Sequence, residues 1–322
     1  MEICNKEKII LLGFSIISPL HLMNFMTIYM ANRDSYGSAY VGLSGFLKSR
    51  NVPERYLDFC RKQGVTFFEI SDIDSILLNN KKMKFDFVFI NAYAFKAVLK
   101  KLYNIRNIYF IDEGISTYST KKHLIKINKI EKNFVYYRNY FVKFFLSIFF
   151  EIFFFGRIKK LNFFNKEDYI VNIDFKNAFV NVLKRIPDEE RFLKKENVVL
   201  YCSQPFLELN KVSEIDLKKS LTSIKSKVED KGYSLLIKKH PAEHMFDYES
   251  NGFEVLEFDG MLEEYIVKYP IISLISKNST SSLLANALIN IPSYILDYND
   301  SESLDENLKV LFSKYCIPFE LF

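Results

Sequence analysis

Short apolar runs recur along this chain, separated by longer stretches whose apolar residues repeat at helical spacing, and this alternation constrains the fold more than any other feature. A run too short for a helix and apolar on both faces reads as a strand buried on two sides. Such strands belong to parallel sheets covered by helices. In the first half the runs are Ile9–Phe14, Thr66–Ile70, Phe85–Asn91 and Asn107–Asp112, with helical patterns over Arg55–Gln63 and Tyr93–Tyr103. The stretch Asp168–Asp188 reads as a strand and a connecting helix that stops before Pro187. A second series runs through Val198–Cys202 (strand), Ile215–Lys231 (helix), Tyr233–Lys238 (strand) and Met261–Tyr269 (helix). It continues with Ile271–Ile275 (strand), Ser281–Asn290 (helix) and Ser293–Asp297 (strand). Two such series in 322 residues, without an internal repeat, predict two Rossmann-like α/β domains at 1–188 and 189–322. The first carries a Phe-rich segment at 140–160.

Composition excludes some classes. Forty-four Lys and Arg stand against thirty-nine Asp and Glu, a net charge of +5, and no basic stripe is interleaved with aromatics. A nucleic-acid partner is therefore not expected. Cys4, Cys60, Cys202 and Cys316 share neither a CxxC nor a metal-ligand spacing, which fits a reducing compartment. The run Ile9–Ile17 follows acidic Glu2 and meets Ser18-Pro19-Leu20-His21 without a small-residue cleavage site. It reads as the first buried strand of a cytoplasmic protein and not as a leader.

Ligands of such sheets bind at the carboxyl ends of strands, so polar clusters there carry most weight. The first cluster is Asp112-Glu113-Gly114, after the run ending at Ile111. A carboxylate at this place suits a general base on a hydroxyl, but taken alone the cluster is more readily explained as an N-cap or turn. The second is Lys238-Lys239-His240-Pro241. Pro241 stops the strand, so His240 projects from its end, where an imidazole can meet a phosphate oxygen or protonate a leaving group. The alternative is a solvated turn. The third is Ser279-Thr280-Ser281-Ser282, entering the apolar helix Leu283–Leu288. Hydroxyls and exposed N–H groups at a helix N-terminus make a phosphate cradle, and plain capping accounts for one hydroxyl but not four.

A D/E-D/E-G motif, then His-Pro, then paired Ser/Thr before a helix resembles the signature shared by bacterial sialyltransferases. These include the lipooligosaccharide sialyltransferases of glycosyltransferase family 52 and the capsular polysialyltransferases. Ser18-Pro19-Leu20-His21-Leu22-Met23-Asn24 resembles the opening loop of these proteins, and Ser203-Gln204-Pro205 the start of their second domain. The resemblance implies a GT-B fold, two Rossmann-like domains facing a central cleft, and an inverting transfer from CMP-sialic acid with no metal or other cofactor. By the same resemblance Asp112 matches the base, with Glu113 as its alternative, and His240 the residue that meets the CMP phosphate. Ser281 and Ser282 match the Ser/Thr pair, although the run from Ser279 allows more than one placement that includes Thr280. Gln204, Lys239 and Pro241 fall on the donor side, and Ser18 and His21 on the acceptor side. The implied acceptor is a galactoside of a lipid-linked O-antigen, capsule or lipooligosaccharide, joined through an α-2,3 linkage. Extension of sialic acid on itself, or transfer of Kdo or another nonulosonic acid from CMP, are the alternatives.

Three other readings compete. Asp72-Ile73-Asp74 has the letters of a metal-binding DxD motif, but Ser71 and Asp72 also suit the start of a helix at Ile73–Leu78. His240-Pro241-Ala242-Glu243-His244 matches the HxxEH metalloprotease pattern, which needs both histidines on one helical face. Tyr140–Phe155, rich in Phe and followed by Arg157, Lys159 and Lys160, fits either an interfacial helix or an interdomain core helix. It is shorter than the roughly 20 residues of a spanning helix. As an interfacial helix it implies peripheral contact with the cytoplasmic face of the inner membrane, whether in the enzyme or in a membrane-associated binding protein.

Overall fold

A computed structural model describes residues 9–14, 16, 18–43, 52–89, 104–112, 114, 117–119, 142, 145, 148–149, 151–188, 196–277, 279–296 and 305–322. The chain forms two compact units, Met1–Thr117 with Lys121–Pro187, and Tyr118–Thr120 with Asp188–Phe322.

In the first unit six strands form one parallel sheet: β1 (Ile9–Gly13), β2 (Tyr36–Leu43), β3 (Val65–Glu69), β4 (Lys84–Phe89), β5 (Ile105–Ile111) and β6 (Ile158–Leu161). Their order is β3-β2-β1-β4-β5-β6. β1 lies at the centre, buried at all five residues, with Leu12 registered against Tyr40 on one side and Phe87 on the other. Alternate residues of the strands then build one core of Leu12, Phe14, Phe85, Phe87, Phe89 and Ile108. Near the opposite ends of the strands, buried Asp86 accepts hydrogen bonds from Arg106 Nε (2.9 Å), the Asn107 N–H (3.0 Å) and the Tyr36 hydroxyl (3.0 Å). This buried charge therefore ties β2, β4 and β5 together.

The described helices of this unit include α1 (Pro19–Ala31), α2 (Glu54–Lys62), α3 (Ile73–Asn79) and α4 (Ile173–Arg185). The segment beginning Ser18-Pro19 is not a loop, as its resemblance had implied. Ser18 is an N-cap that accepts the His21 N–H at 3.3 Å, and Pro19 occupies the first turn, where its missing N–H costs nothing. Every residue from His21 to Tyr29 is buried, so α1 is enclosed on all sides and packs against α4. Asp168–Asp188 yields α4, but the expected strand shrinks to an isolated antiparallel bridge between Phe164 and Val171. The expected helix at 93–103 lies outside the described residues.

The second unit repeats the plan with β7 (Val198–Cys202), β8 (Ser234–Lys238), β9 (Glu254–Val255), β10 (Ser273–Ser276), β11 (Ser293–Ile295) and β12 (Ile317–Pro318). The order β12-β11-β10-β7-β8-β9 is the first sheet's order, counted from β7. Its helices are α5 (Glu214–Glu229), α6 (Leu262–Lys268), α7 (Thr280–Ile289) and α8 (Glu306–Tyr315). In each sheet the strand order reverses between two central neighbours, β1 and β4 or β7 and β10. A crevice opens at the carboxyl ends of such a pair because their connections leave in opposite directions.

Gly13 sets how closely α1 approaches the end of β1. A Cβ there would lie 2.8 Å from Phe25 Cδ2 and 2.9 Å from Phe25 Cε2, and Phe25 is fully buried. Gly13→Ala is therefore expected to destabilise the protein by about 1–3 kcal/mol through overpacking. Thermal denaturation of the variant checks this, and an unchanged midpoint would refute the packing described.

Candidate active site

At the carboxyl edge of the first sheet, Asp112 follows β5 and is 1% exposed. Its Oδ1 accepts the Gly114 N–H at 2.7 Å and its Oδ2 accepts the Phe163 N–H at 3.3 Å. Gly114 has φ +92°, which an L side chain rarely adopts, so the turn drawn around the carboxylate needs glycine. The carboxylate is thus part of a turn, and it also ties the end of β5 to the segment after β6. Glu113 lies outside the described residues.

The face of α1 nearest this edge carries Asn24, fully buried, whose Nδ2 donates to the Asp112 carbonyl at 3.5 Å. Asn24 Oδ1 has no hydrogen-bond partner among the described residues. His21, 6% exposed, sits one turn earlier on the same face. Ser18 is committed to capping. Asn24 was visible in the sequence only as the last letter of a motif, since nothing in the letters shows that its amide is buried against Asp112.

In the second unit three strand ends come together. Ser203 and Gln204 follow β7, Lys239 to Glu243 follow β8, and Ser279 to Ser282 follow β10. His240 is half-buried in a turn closed by the Glu243 N–H donating to the His240 carbonyl at 2.9 Å. The Ala242 N–H donates to His240 Nδ1 at 3.1 Å. A neutral imidazole that accepts at Nδ1 carries its proton on Nε2. Glu243 gathers donors: Oε2 accepts the His240 N–H at 2.6 Å and contacts the Ser203 hydroxyl, and Oε1 accepts the Tyr248 hydroxyl at 2.8 Å. Lys239 Nζ lies 5.8 Å from the Tyr248 ring centroid. Pro241 is exposed and Gln204 half-buried.

The hydroxyl run divides its labour. Ser279 is the N-cap of α7 and accepts the Ser281 N–H at 3.2 Å. The Ser281 hydroxyl donates to Glu263 Oε1 at 3.1 Å, whereas fully buried Ser282 turns inward onto Ser276 at the end of β10. Thr280 is half-buried. Ser279, Ser281 and Ser282 thus each spend their hydroxyls on holding the turn and its packing. Of the first-turn N–H groups of α7, that of Ser281 is capped by Ser279 and that of Ser282 donates to the Ser279 carbonyl at 3.2 Å, while the dipole still makes this end of the helix favourable for an anion.

The competing motifs fare differently. Residues 240–244 form a turn and not the helix that the HxxEH pattern requires, and the His244 N–H donates to Glu208 at 2.8 Å. At 72–74 the helix α3 starts as expected, but the Asp72 side chain makes no capping bond and instead accepts the Ser71 hydroxyl at 3.3 Å. Among the described residues no helix is long and apolar enough to cross a membrane.

Two Rossmann-like units, each with polar residues at the carboxyl ends of its parallel sheet, are the architecture of the GT-B fold. A model of the alpha-2,8-polysialyltransferase family matches residues 48–298, and the chain belongs to that family. No curated protein matches. Of the solved structures, UDP-GlcNAc 2-epimerase from Methanocaldococcus jannaschii aligns over 96% of this chain and 88% of its own, with 12% identity and TM-score 0.55. The corresponding enzyme from Rickettsia bellii covers 96% and 87% at 12% identity and TM-score 0.51. A sialyltransferase from Photobacterium damsela covers 97% and 81% at 10% identity and TM-score 0.48. At such identities the likeness to the two epimerases concerns the fold alone.

Glu263 was read in the sequence only as part of the helix at 261–269, yet it is buried beside Ser281. Burial pushes its carboxyl above the usual range, opposed by the Ser281 hydrogen bond and by Lys238. The folded protein therefore holds this proton to higher pH than the unfolded chain does. Stability falls as pH rises from about 4.3, the unfolded value, through the raised folded one. Glu263→Gln keeps an acceptor for Ser281 and removes that penalty. Its thermal midpoint is expected to equal or exceed wild type at pH 8, with the advantage shrinking towards pH 4. An advantage that grows towards low pH would contradict the assignment.

Proposed function

We propose that this enzyme transfers sialic acid from CMP-sialic acid to a hydroxyl of a bacterial surface glycan, with inversion and without a metal. The observation that carries the donor assignment is the convergence of His240, Ser203 and the N-terminus of α7 at the carboxyl ends of β7, β8 and β10. A phosphate there would meet an Nε2–H donor and the positive end of the α7 dipole, with Thr280, Ser281, Gln204 and Lys239 nearby. Fixed donors aimed at the leaving phosphate lower the barrier most where the sugar leaves as an oxocarbenium-like species. The family match adds weight to a sialic acid acceptor over the galactoside of the α-2,3 reading. On the acceptor side Asp112 serves as base, with Glu113 as the alternative and His21 and Asn24 shaping the approach.

Three tests separate these roles. His240→Ala is expected to lower transfer roughly tenfold to a hundredfold, the size of one charge-assisted phosphate contact. Wild-type transfer by the folded variant would remove His240 from the site. Asp112→Asn should abolish most transfer while leaving CMP binding intact. Glu113→Gln dead with Asp112→Asn active would move the base by one residue. Transfer should survive EDTA, and loss restored by manganese would refute metal independence.

We also propose peripheral contact with the cytoplasmic face of the membrane through the Phe-rich segment. Ile152 is 68% exposed, Phe153 66% and Phe155 89%, and Phe149 stacks on Phe153 at 4.1 Å between ring centroids. Phe154 alone of this group turns into the sheet's core. Exposed Arg157 and Lys159 follow, which suits anionic headgroups. Phe150 lies outside the described residues. Phe149→Ser with Phe153→Ser should weaken binding to anionic vesicles several-fold and leave transfer to a soluble acceptor unchanged. Undiminished vesicle binding would end this reading.

A further inference from the structure

The turn after β8 contains a carboxylate that the proposed chemistry does not use. We propose that Glu243 is a positioning residue that presents His240 to the donor phosphate with its proton on Nε2. The inference rests on the donor-site reading above.

Three donors converge on Glu243. The His240 main-chain N–H reaches Oε2 at 2.6 Å, the Ser203 hydroxyl contacts the same oxygen, and the Tyr248 hydroxyl holds Oε1 at 2.8 Å. The Ser203 hydroxyl also receives the His240 N–H at 3.1 Å, so the end of β7 and the start of the turn share one knot. Tyr248 is 1% exposed and packs edge-on against Phe246, which fixes the far side of the carboxylate. The turn these bonds close brings the Ala242 N–H onto His240 Nδ1 at 3.1 Å. That contact orients the ring and sets its tautomer together, because an N–H pointed at Nδ1 disfavours a proton there. Lys239 and Tyr248 flank the turn, and Lys238 reaches away to the Phe258 carbonyl at 2.8 Å. Glu243 itself contacts the main chain of His240 and not the imidazole, so it acts through the turn.

The experiment compares wild type with Glu243→Ala, Glu243→Gln, Tyr248→Phe and His240→Asn. It measures kcat and donor KM with CMP-sialic acid, and the ¹⁵N shifts of the His240 imidazole. Wild type should show Nδ1 unprotonated and Nε2 protonated in the neutral form. Glu243→Ala should mix the tautomers and lower kcat about tenfold to a hundredfold, the usual range for groups that orient a functional side chain, with donor KM changed far less. Glu243→Gln retains an acceptor for the main-chain N–H and should recover most of the loss. Should Glu243→Ala fail to fold, Tyr248→Phe, nearly isosteric, is expected to lower kcat several-fold and shift the same imidazole signals. Wild-type kcat and tautomer in the folded Glu243 and Tyr248 variants, with His240→Asn impaired, would overturn the role of Glu243 alone. Full transfer by His240→Asn would overturn the donor reading and this proposal with it.

Discussion

Every strand paired in the two main sheets runs parallel to its neighbours, so the chain leaves each strand at the same edge of its sheet. That single constraint gathers residues distant in sequence, because the connection to the next strand must cross a face and return. Ser203, His240 and Ser279 are separated by dozens of residues, yet they follow β7, β8 and β10, three adjacent strands. In the first unit the same constraint sets Asp112, after β5, one strand from β4 at the reversal of strand order. Chemistry at these edges is thus a consequence of topology before it is a property of any one side chain.

Polar groups at these edges are organised by hydrogen bonds that also hold the fold. Asp112 is anchored by Gly114 and Phe163, Glu243 by three donors, and Glu263 by Ser281. A buried carboxylate needs such partners, since leaving it unpaired in a low-dielectric setting costs several kcal/mol. The same bonds limit side-chain motion, which is what a site needs if its donors are to be aimed before the substrate arrives. On the proposed reading, structural and functional roles coincide at Glu243. At Asp112 the proposed role as base competes with the structural one, because one carboxylate oxygen serves the turn and the other holds the segment after β6.

Much of the fold was legible in the sequence because central strands of parallel sheets are largely apolar runs, broken in β4 only by Asp86 after its opening lysine. β1, β4 and β7 announce themselves this way, and β10 with α7 lies within two residues of its expected place. β2 escaped because Tyr36–Leu43 mixes Gly37, Ser38 and Gly42 with its apolar residues. β6 escaped because Ile158–Leu161 is an edge strand with two exposed lysines. α1 was misread since Ser-Pro signals a turn as readily as an N-cap and a first helical position. The positions of Asp112, His240 and the Ser279–Ser282 run at strand ends were readable from their flanks. Asn24, Glu243 and Glu263 were not, because whether a polar side chain is buried against a partner depends on contacts far away in sequence.

The central claim is that a CMP-linked donor sits at the carboxyl ends of β7, β8 and β10. Hydrogen–deuterium exchange with and without saturating CMP tests it most directly, since it reports where the nucleotide protects the backbone. The account predicts slowed exchange concentrated in residues 203–206, 239–243 and 279–283, with the rest of the second sheet unchanged. Protection confined to other segments, or none at a CMP concentration that binds, would contradict it.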